Sequence, residues 1–232
     1  MDLYAKNATV NEDVKRNIPS LRISEDLFDD LYDDNDYKAV AIAAESRVKQ
    51  DCAPDFIQRG FHYTTSVLFP FDSENYQRTR YSDGSFGCWY GSMELDTTIY
   101  ETAFHNLKNE LNVEGIKEVI IRERAIYNIF CEGILLDFRE LQNHFPKLIH
   151  DDYSYTQQIG RHLATQGHPG LLAPSARKPG GVNVVVFNSQ ILSNPRVSQY
   201  LTYYIDPINQ TVRVEKKPNE LYLMIKPFTQ TA

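Results

Sequence analysis

Apolar positions recur at helical spacing from Ser24 onward, where Leu27, Phe28, Leu31 and Tyr32 alternate with aspartates. Val40, Ala41, Ala44 and Val48 continue the pattern after a break, so two amphipathic helices are expected before about residue 55. The run Asp29, Asp30, Asp33, Asp34, Asp36 lacks the glycine and closing glutamate of a calcium loop and reads as a solvated acidic face. Beyond Pro54 the texture changes to short β-rich runs: Phe61 to Leu68, Cys88 to Gly91, Ile116 to Ile121, Gly133 to Phe138, Leu171 to Ala173 and Val182 to Phe187. Two helices interrupt them. Asp96 is suited to cap one that carries Ile99, Tyr100, Ala103, Phe104 and Leu107, and another runs from about Tyr155 to a stop at Gly167. Gln199 to Ile205 and Thr211 to Lys217 read as a hairpin, followed by a strand from Leu221 to Ile225. Helices and strands do not alternate regularly, which favours an α+β fold over a doubly wound sheet. The expected division is an N-terminal helical extension over residues 1–55, covering the core or supporting self-association, and one domain over 56–232.

Composition narrows the function. With 232 residues and 42% hydrophobic content the chain can bury a proper core, and 12% aromatic residues argue against disorder. A net charge of −7 repels a nucleic-acid backbone, so no direct nucleic-acid binding is expected, although a local arginine cluster can still hold a small anion. Cys52, Cys88 and Cys131 are odd in number and form no C-x-x-C pair, which fits a reducing compartment. No leader and no bilayer-length apolar run stand out, so the expected location is cytoplasmic, with no membrane contact. The phosphate-binding, dinucleotide, metalloprotease and nucleophile-elbow motifs are all missing, and the histidines fall at no metal spacing, so no metal site is expected.

Three pieces carry candidate chemistry. Arg80 opens a polar turn containing Gly84 and Gly87, and the turn enters an aromatic strand bearing Trp89 and Tyr90. Thr98, Glu101 and His105 share a helix face distinct from the apolar stripe through Ile99, Ala103 and Leu107. Leu171 to Asn183 interrupts two apolar strands with Ser175, Arg177, Lys178 and a glycine pair. Taken singly, each also fits an ordinary solvated helix face or basic turn.

Taken together these pieces resemble the RES domain, a family named after its arginine, glutamate and serine, over roughly Phe61 to Asn188. In that family an arginine is followed ten residues on by a tyrosine and eleven later by a glutamate, with a distant Pro-Ser-x-Arg loop; Arg80, Tyr90, Glu101 and Ser175 fill those places. The stretches Trp89 to Ser92 and Tyr155 to Gly160 also look like the longer members, while Tyr81 stands where many relatives have tryptophan or phenylalanine. The resemblance implies an ADP-ribosyltransferase-like mixed β-sheet core with flanking helices. It further implies a toxin that degrades NAD⁺, restrained by an Xre-type helix-turn-helix antitoxin, with a homodimer inside that complex left open. NAD⁺ is then a substrate and no cofactor is needed. The acceptor is left open between water (glycohydrolase) and inorganic phosphate (phosphorylase). An ADP-ribosyltransferase modifying a protein, or a non-catalytic module of a DNA-bound repressor complex, are the alternatives.

The residue types suit that chemistry. Nicotinamide leaves neutral from a cationic pyridinium while positive charge develops on the ribose, so one carboxylate suffices where O-glycoside hydrolysis commonly uses two. Glu101 is the candidate to stabilise that charge, worth ~3 kcal/mol by analogy with other preorganised groups. Arg80 is the candidate grip on the diphosphate. Tyr90 is suited to stack on nicotinamide or bond the ribose, and Ser175 to bond a phosphate or ribose oxygen, with Arg177 and Asn183 adding contacts.

Overall fold

Strands that read as unbroken apolar runs are buried on both faces, and the centre of this fold is built that way. The computed structural model describes residues 2–20, 61–113, 115 and 118–228; the helices expected between Ser24 and Val48, and the boundary near residue 55, lie outside them. Eight strands form one mixed sheet: β1 (Asn7–Pro19), β2 (Trp89–Ser92), β3 (Ile120–Asp137), β4 (Gly170–Pro174), β5 (Val182–Val186), β6 (Leu192–Asp206), β7 (Thr211–Lys217) and β8 (Glu220–Ile225). The two longer helices among the described residues are α1 (Leu95–Leu111) and α2 (Ser154–Thr165). The fold is α+β. Among the described residues no helix is long and apolar enough to cross a membrane.

The strand order is β1-β2-β5-β4-β3-β6-β7-β8, and β1 also pairs with β3 from Asn7↔Leu136 to Pro19↔Arg124. Following β1, β2, β5, β4 and β3 therefore returns to β1, a closed hydrogen-bonded circuit with β6, β7 and β8 carried outside it. Leu136 pairs with both Asn7 and Leu171, and Arg124 with both Pro19 and Leu201, so β4 and β6 share one edge of β3 opposite β1. Only β3–β4 is parallel.

Successive side chains of β4 and β5 enter different cores, as alternation across a sheet requires. Leu172, Val184 and Val186 join Val14, Trp89 and Ile129, whereas Leu171 and Val185 join Tyr81, Phe138, Leu148 and Ile159. A third core forms where Ile99, Ala103 and Leu107 of α1 lie on Ile126, Leu201, Tyr203 and Val214. That stripe, at i, i+4 and i+8, orients α1 and leaves its other face free for chemistry.

Four local expectations are corrected. Asn7–Pro19, grouped with the helical extension, is instead a strand inside the sheet. Val10 and Val14, with half-buried Ala8 and Ile18, mark its core face amid polar and charged neighbours, so thirteen residues of pairing with β3, more than local preference, make it a strand. Phe61 to Leu68 is not β: an α-helical turn, Phe61–Tyr63, runs into a π-helical one, Thr64–Leu68. Tyr63 and Val67 are buried one turn apart, and β-branched composition masked that spacing. Of the run expected at Ile116 to Ile121, residues 116 and 117 lie outside the described residues, and Ile120 and Ile121 open one long strand, β3, that also takes in Gly133 to Asp137 of the second run. Asp96 lies in the first turn of α1, after the cap residue Glu94, and its carboxylate accepts the Tyr222 hydroxyl at 2.7 Å.

Asp137, at the end of β3, ties the N-terminal segment to the sheet. Its buried carboxylate accepts two bonds from Arg139 at 2.8 Å and faces Lys6 Nζ at 3.4 Å, while its backbone N–H donates to the Lys6 carbonyl. The Arg139 hydrogen bonds, outweighing burial, lower its pKa from 3.8 to about 2. A depressed carboxylate pKa gives stability that is full above the unfolded value and lost as pH falls through the folded one. Wild type is therefore expected to lose about 2 kcal/mol between roughly pH 4 and pH 2 through this group. Denaturant melts across that range check this, with Asp137→Asn lacking that part of the acid dependence.

Candidate active site

The face of α1 turned away from its apolar stripe forms one wall of a cleft of about 600 Å³. Thr98 and Thr102, four apart, and Glu101 and His105, four apart, lie side by side along that wall. Arg80, Tyr90 and Asn183 line the same cleft, so four sequence-predicted residues, Glu101 included, meet there. This volume lies within the range of small-molecule sites.

Glu101 is held from two directions. Ser175 Oγ donates to its Oε1 at 2.6 Å and Asn183 Nδ2 donates to the same oxygen at 2.7 Å. No described residue donates to Oε2. Each partner is itself fixed. Ser175 Oγ accepts the backbone N–H groups of Arg177 (3.1 Å) and Lys178 (3.0 Å), so its own proton is directed at the carboxylate. Asn183 Oδ1 accepts Ser92 Oγ at 2.8 Å across the β2–β5 pair, which orients the amide with its nitrogen toward Glu101. The loop between β4 and β5 reaches α1 because Gly181 is there: a Cβ would stand 2.7 Å from Thr97 Oγ1.

Arg80 is framed through its neighbours. The Tyr90 hydroxyl accepts the Tyr81 N–H at 2.7 Å and shares a bond with Thr79 Oγ1 at 2.9 Å. Gln157 of α2 donates to the Thr79 carbonyl at 2.9 Å, pinning the other side. Burial raises the Tyr90 pKa well above the usual phenol value, keeping it a neutral hydroxyl. The Arg80 guanidinium donates to the His150 carbonyl and sits over the Tyr153 ring at 4.5 Å. Tyr90 OH, assigned from sequence to ligand contact, thus has two protein partners; its ring still lines the cleft.

Arg177 is not among the lining residues. Its guanidinium lies 3.4 Å from the Phe104 ring centroid and bridges Asp151 at 2.6 Å, joining the β4–β5 loop to the segment before α2. His105 lines the cleft, and its pKa is lowered by desolvation, with Glu101 opposing and Arg177, Arg80 and Lys108 reinforcing the shift.

Sequence reasoning missed the contribution of β1. Lys15, Arg16 and Asn17, with Arg124 of β3, complete the cleft opposite α1. No motif announces them, and the β1–β3 register alone brings them in. Among the described residues Lys15, Arg16, Arg78, Arg80, Lys108 and Arg124 all line the cleft, against the single carboxylate of Glu101. The cleft is therefore cationic inside a chain of net charge −7.

Fold and site define an α+β protein with one anion-attracting cleft organised around one carboxylate. The RES domain family matches residues 54–206, and the chain belongs to that family. A chain in the crystal structure of the M. tuberculosis MbcT–MbcA toxin–antitoxin complex is similar over 87% of this chain and 88% of its own, with 13% identity and a TM-score of 0.42. No curated protein matches the chain.

Gly160 of α2 tests the Arg80 frame, because a Cβ there would stand 1.8 Å from the Tyr81 carbonyl oxygen. Gly160→Ala must displace helix or loop and is expected to cost about 2–3 kcal/mol. Thermal melts measure that cost. A variant as stable as wild type would contradict the close approach.

Proposed function

We propose that this chain is a toxin that cleaves the nicotinamide–ribose bond of NAD⁺. The supporting observation is the Glu101 carboxylate, clamped on one oxygen by Ser175 and Asn183 in the wall of a cationic cleft that also holds Arg80. Membership of the RES domain family supports the same reading.

In the proposed step the ribose C1′–nitrogen bond breaks, and its electron pair returns to the pyridinium, which departs as neutral nicotinamide. Positive charge grows on the ribose ring, and Glu101 supplies the opposing negative charge at a fixed position. Fixing matters, since a carboxylate already held by two donors needs no reorganisation as that charge appears. The acceptor oxygen, from water or inorganic phosphate, bonds C1′ and releases its proton. The products are nicotinamide with ADP-ribose or its 1-phosphate. Arg80 binds the diphosphate, its fork matching phosphate oxygens. Growth arrest follows from loss of the dinucleotide pool, and an Xre-type antitoxin restrains the enzyme in the cytoplasm.

The test is nicotinamide release from NAD⁺ by the purified chain, with and without phosphate. Glu101→Gln is expected to lower the rate by about two decades or more while leaving the melting temperature close to wild type. Asn183→Ala and Ser175→Ala are expected to fall between the two, as each frees one side of the carboxylate. Absence of nicotinamide from wild type in both buffers would overturn the reading. Labelled ADP-ribose recovered on protein would redirect it to a transferase.

A further inference from the structure

Two arginines in the cleft wall have no part in the proposed step. Arg124 of β3 is buried, and its Nε and Nη2 donate to Oδ1 (2.8 Å) and the carbonyl (2.9 Å) of Asn17. Arg16, beside Asn17 on β1, is partly buried: Nη1 donates to the Tyr90 carbonyl, Cζ lies 5.2 Å from the Trp89 ring centroid, and Nε is sealed from solvent without an acceptor. Both guanidiniums thus have neutral partners only. Among the described residues neither forms an ion pair, although cations elsewhere on the sheet do, Arg122, Arg196 and Arg213 among them. Glu101, the one carboxylate that lines the cleft among the described residues, is engaged by Ser175 and Asn183.

Charges withdrawn from water are ordinarily paired, because an uncompensated one costs several kcal/mol. Here two of the same sign are close enough to act on each other: burial first, and then Arg124, lowers the Arg16 pKa to about 10. Hydrophobic or amide side chains would pack on these strands without that cost. Two guanidiniums on the wall of an open cleft, without a carboxylate partner among the described residues, call for a counter-charge brought by a ligand. Phosphate oxygens match the guanidinium donor geometry. Arg80 comes from the loop before β2, whereas this pair comes from β1 and β3, so the two are carried by different elements.

We infer that Arg16 and Arg124, with Asn17 between them, form an anion subsite that binds a phosphate group, separate from the position served by Arg80. The group has the same chemistry whether it is free inorganic phosphate or a phosphate carried by a nucleotide. The inference stands on burial and charge and holds whether or not NAD⁺ is cleaved. Arg16 and Asn17 lie outside the segment matched to the RES domain.

Thermal unfolding of the full chain tests it, in inorganic phosphate against chloride at equal ionic strength and separately with ADP-ribose. A saturating phosphate group is expected to raise the midpoint by about 5 °C. Arg16→Gln and Arg124→Gln should each lose most of that rise, and Arg80→Gln should keep the inorganic-phosphate part. Where an arginine variant fails to fold, calorimetric titration of wild type with ADP-ribose, with and without saturating phosphate, carries the test. Undiminished ADP-ribose affinity beside bound phosphate assigns the subsite to the free ion, and competition assigns it to a nucleotide phosphate. No midpoint shift with either probe overturns the subsite, as does a shift that survives in Arg16→Gln and Arg124→Gln but vanishes in Arg80→Gln. Nicotinamide release is scored separately, so failure here leaves the cleavage reading intact.

Discussion

The site depends on one carboxylate oxygen shared by two donors. Ser175 and Asn183 converge on Glu101 Oε1 from the β4–β5 loop and from β5, so α1 is tied to the sheet at the point where its polar face meets the cleft. Neither donor is free to turn away. The serine proton is directed because two backbone N–H groups occupy the acceptor side of its oxygen, and the asparagine is oriented because Ser92 holds its carbonyl. Such a network is stiff only when every member is satisfied. Its geometry is inherited from the β2–β5 register and the close packing of Gly181 on Thr97, so a local motif rests on long-range structure.

Arg80 shows the same logic with different means. A guanidinium on a polar turn would ordinarily sample many positions and lose entropy on binding. Here the residues on either side are fastened, Thr79 by Gln157 and Tyr90 and Tyr81 by Tyr90, with Gly160 allowing the helix to sit against the loop. This gives the Tyr155 to Gly160 stretch a physical role: it supplies the amide and the gap that hold the arginine loop. Tyr90 contributes its hydroxyl to the frame and its ring to the cleft.

Much of this was legible in the sequence, and the limits follow from physical causes. The apolar stripe of α1, the continuous apolar runs of β4 and β5, and the β6–β7 hairpin all declare themselves through local periodicity. Glu101 and Ser175, 74 residues apart, meet in one hydrogen bond, as the resemblance to the RES domain carried by Arg80, Tyr90, Glu101 and Ser175 implied. The strand β1 was not legible, because its residues are mostly polar and its conformation is imposed by β3. Nor was the helical turn at Phe61 to Leu68, where β-branched composition opposed a spacing of one helical turn. The engagement of the Tyr90 hydroxyl was invisible too, since backbone N–H groups leave no trace in residue identities. Asp96, a residue suited to a cap, found a tertiary partner in Tyr222 instead.

Charge distribution links these parts. In a chain carrying −7 overall, the described residues place six lysines and arginines and one carboxylate around a single cleft, so their field near the site is opposite in sign to the net charge of the molecule. At physiological ionic strength distant surface charges are screened within about 8 Å, whereas those lining a partly desolvated cleft act on each other at close range. A small anion near the cleft therefore meets a field set by these neighbours and not by the net charge of the chain. Half of that positive charge, Lys15, Arg16 and Arg124, comes from β1 and its partner β3. The pairing that closes the sheet therefore also completes the electrostatics of the site: displacing β1 would remove Lys15 and Arg16 from the cleft, deprive Arg124 of its Asn17 partner, and release Thr98 and Thr102, which flank Glu101 on α1, from the Asn17 amide.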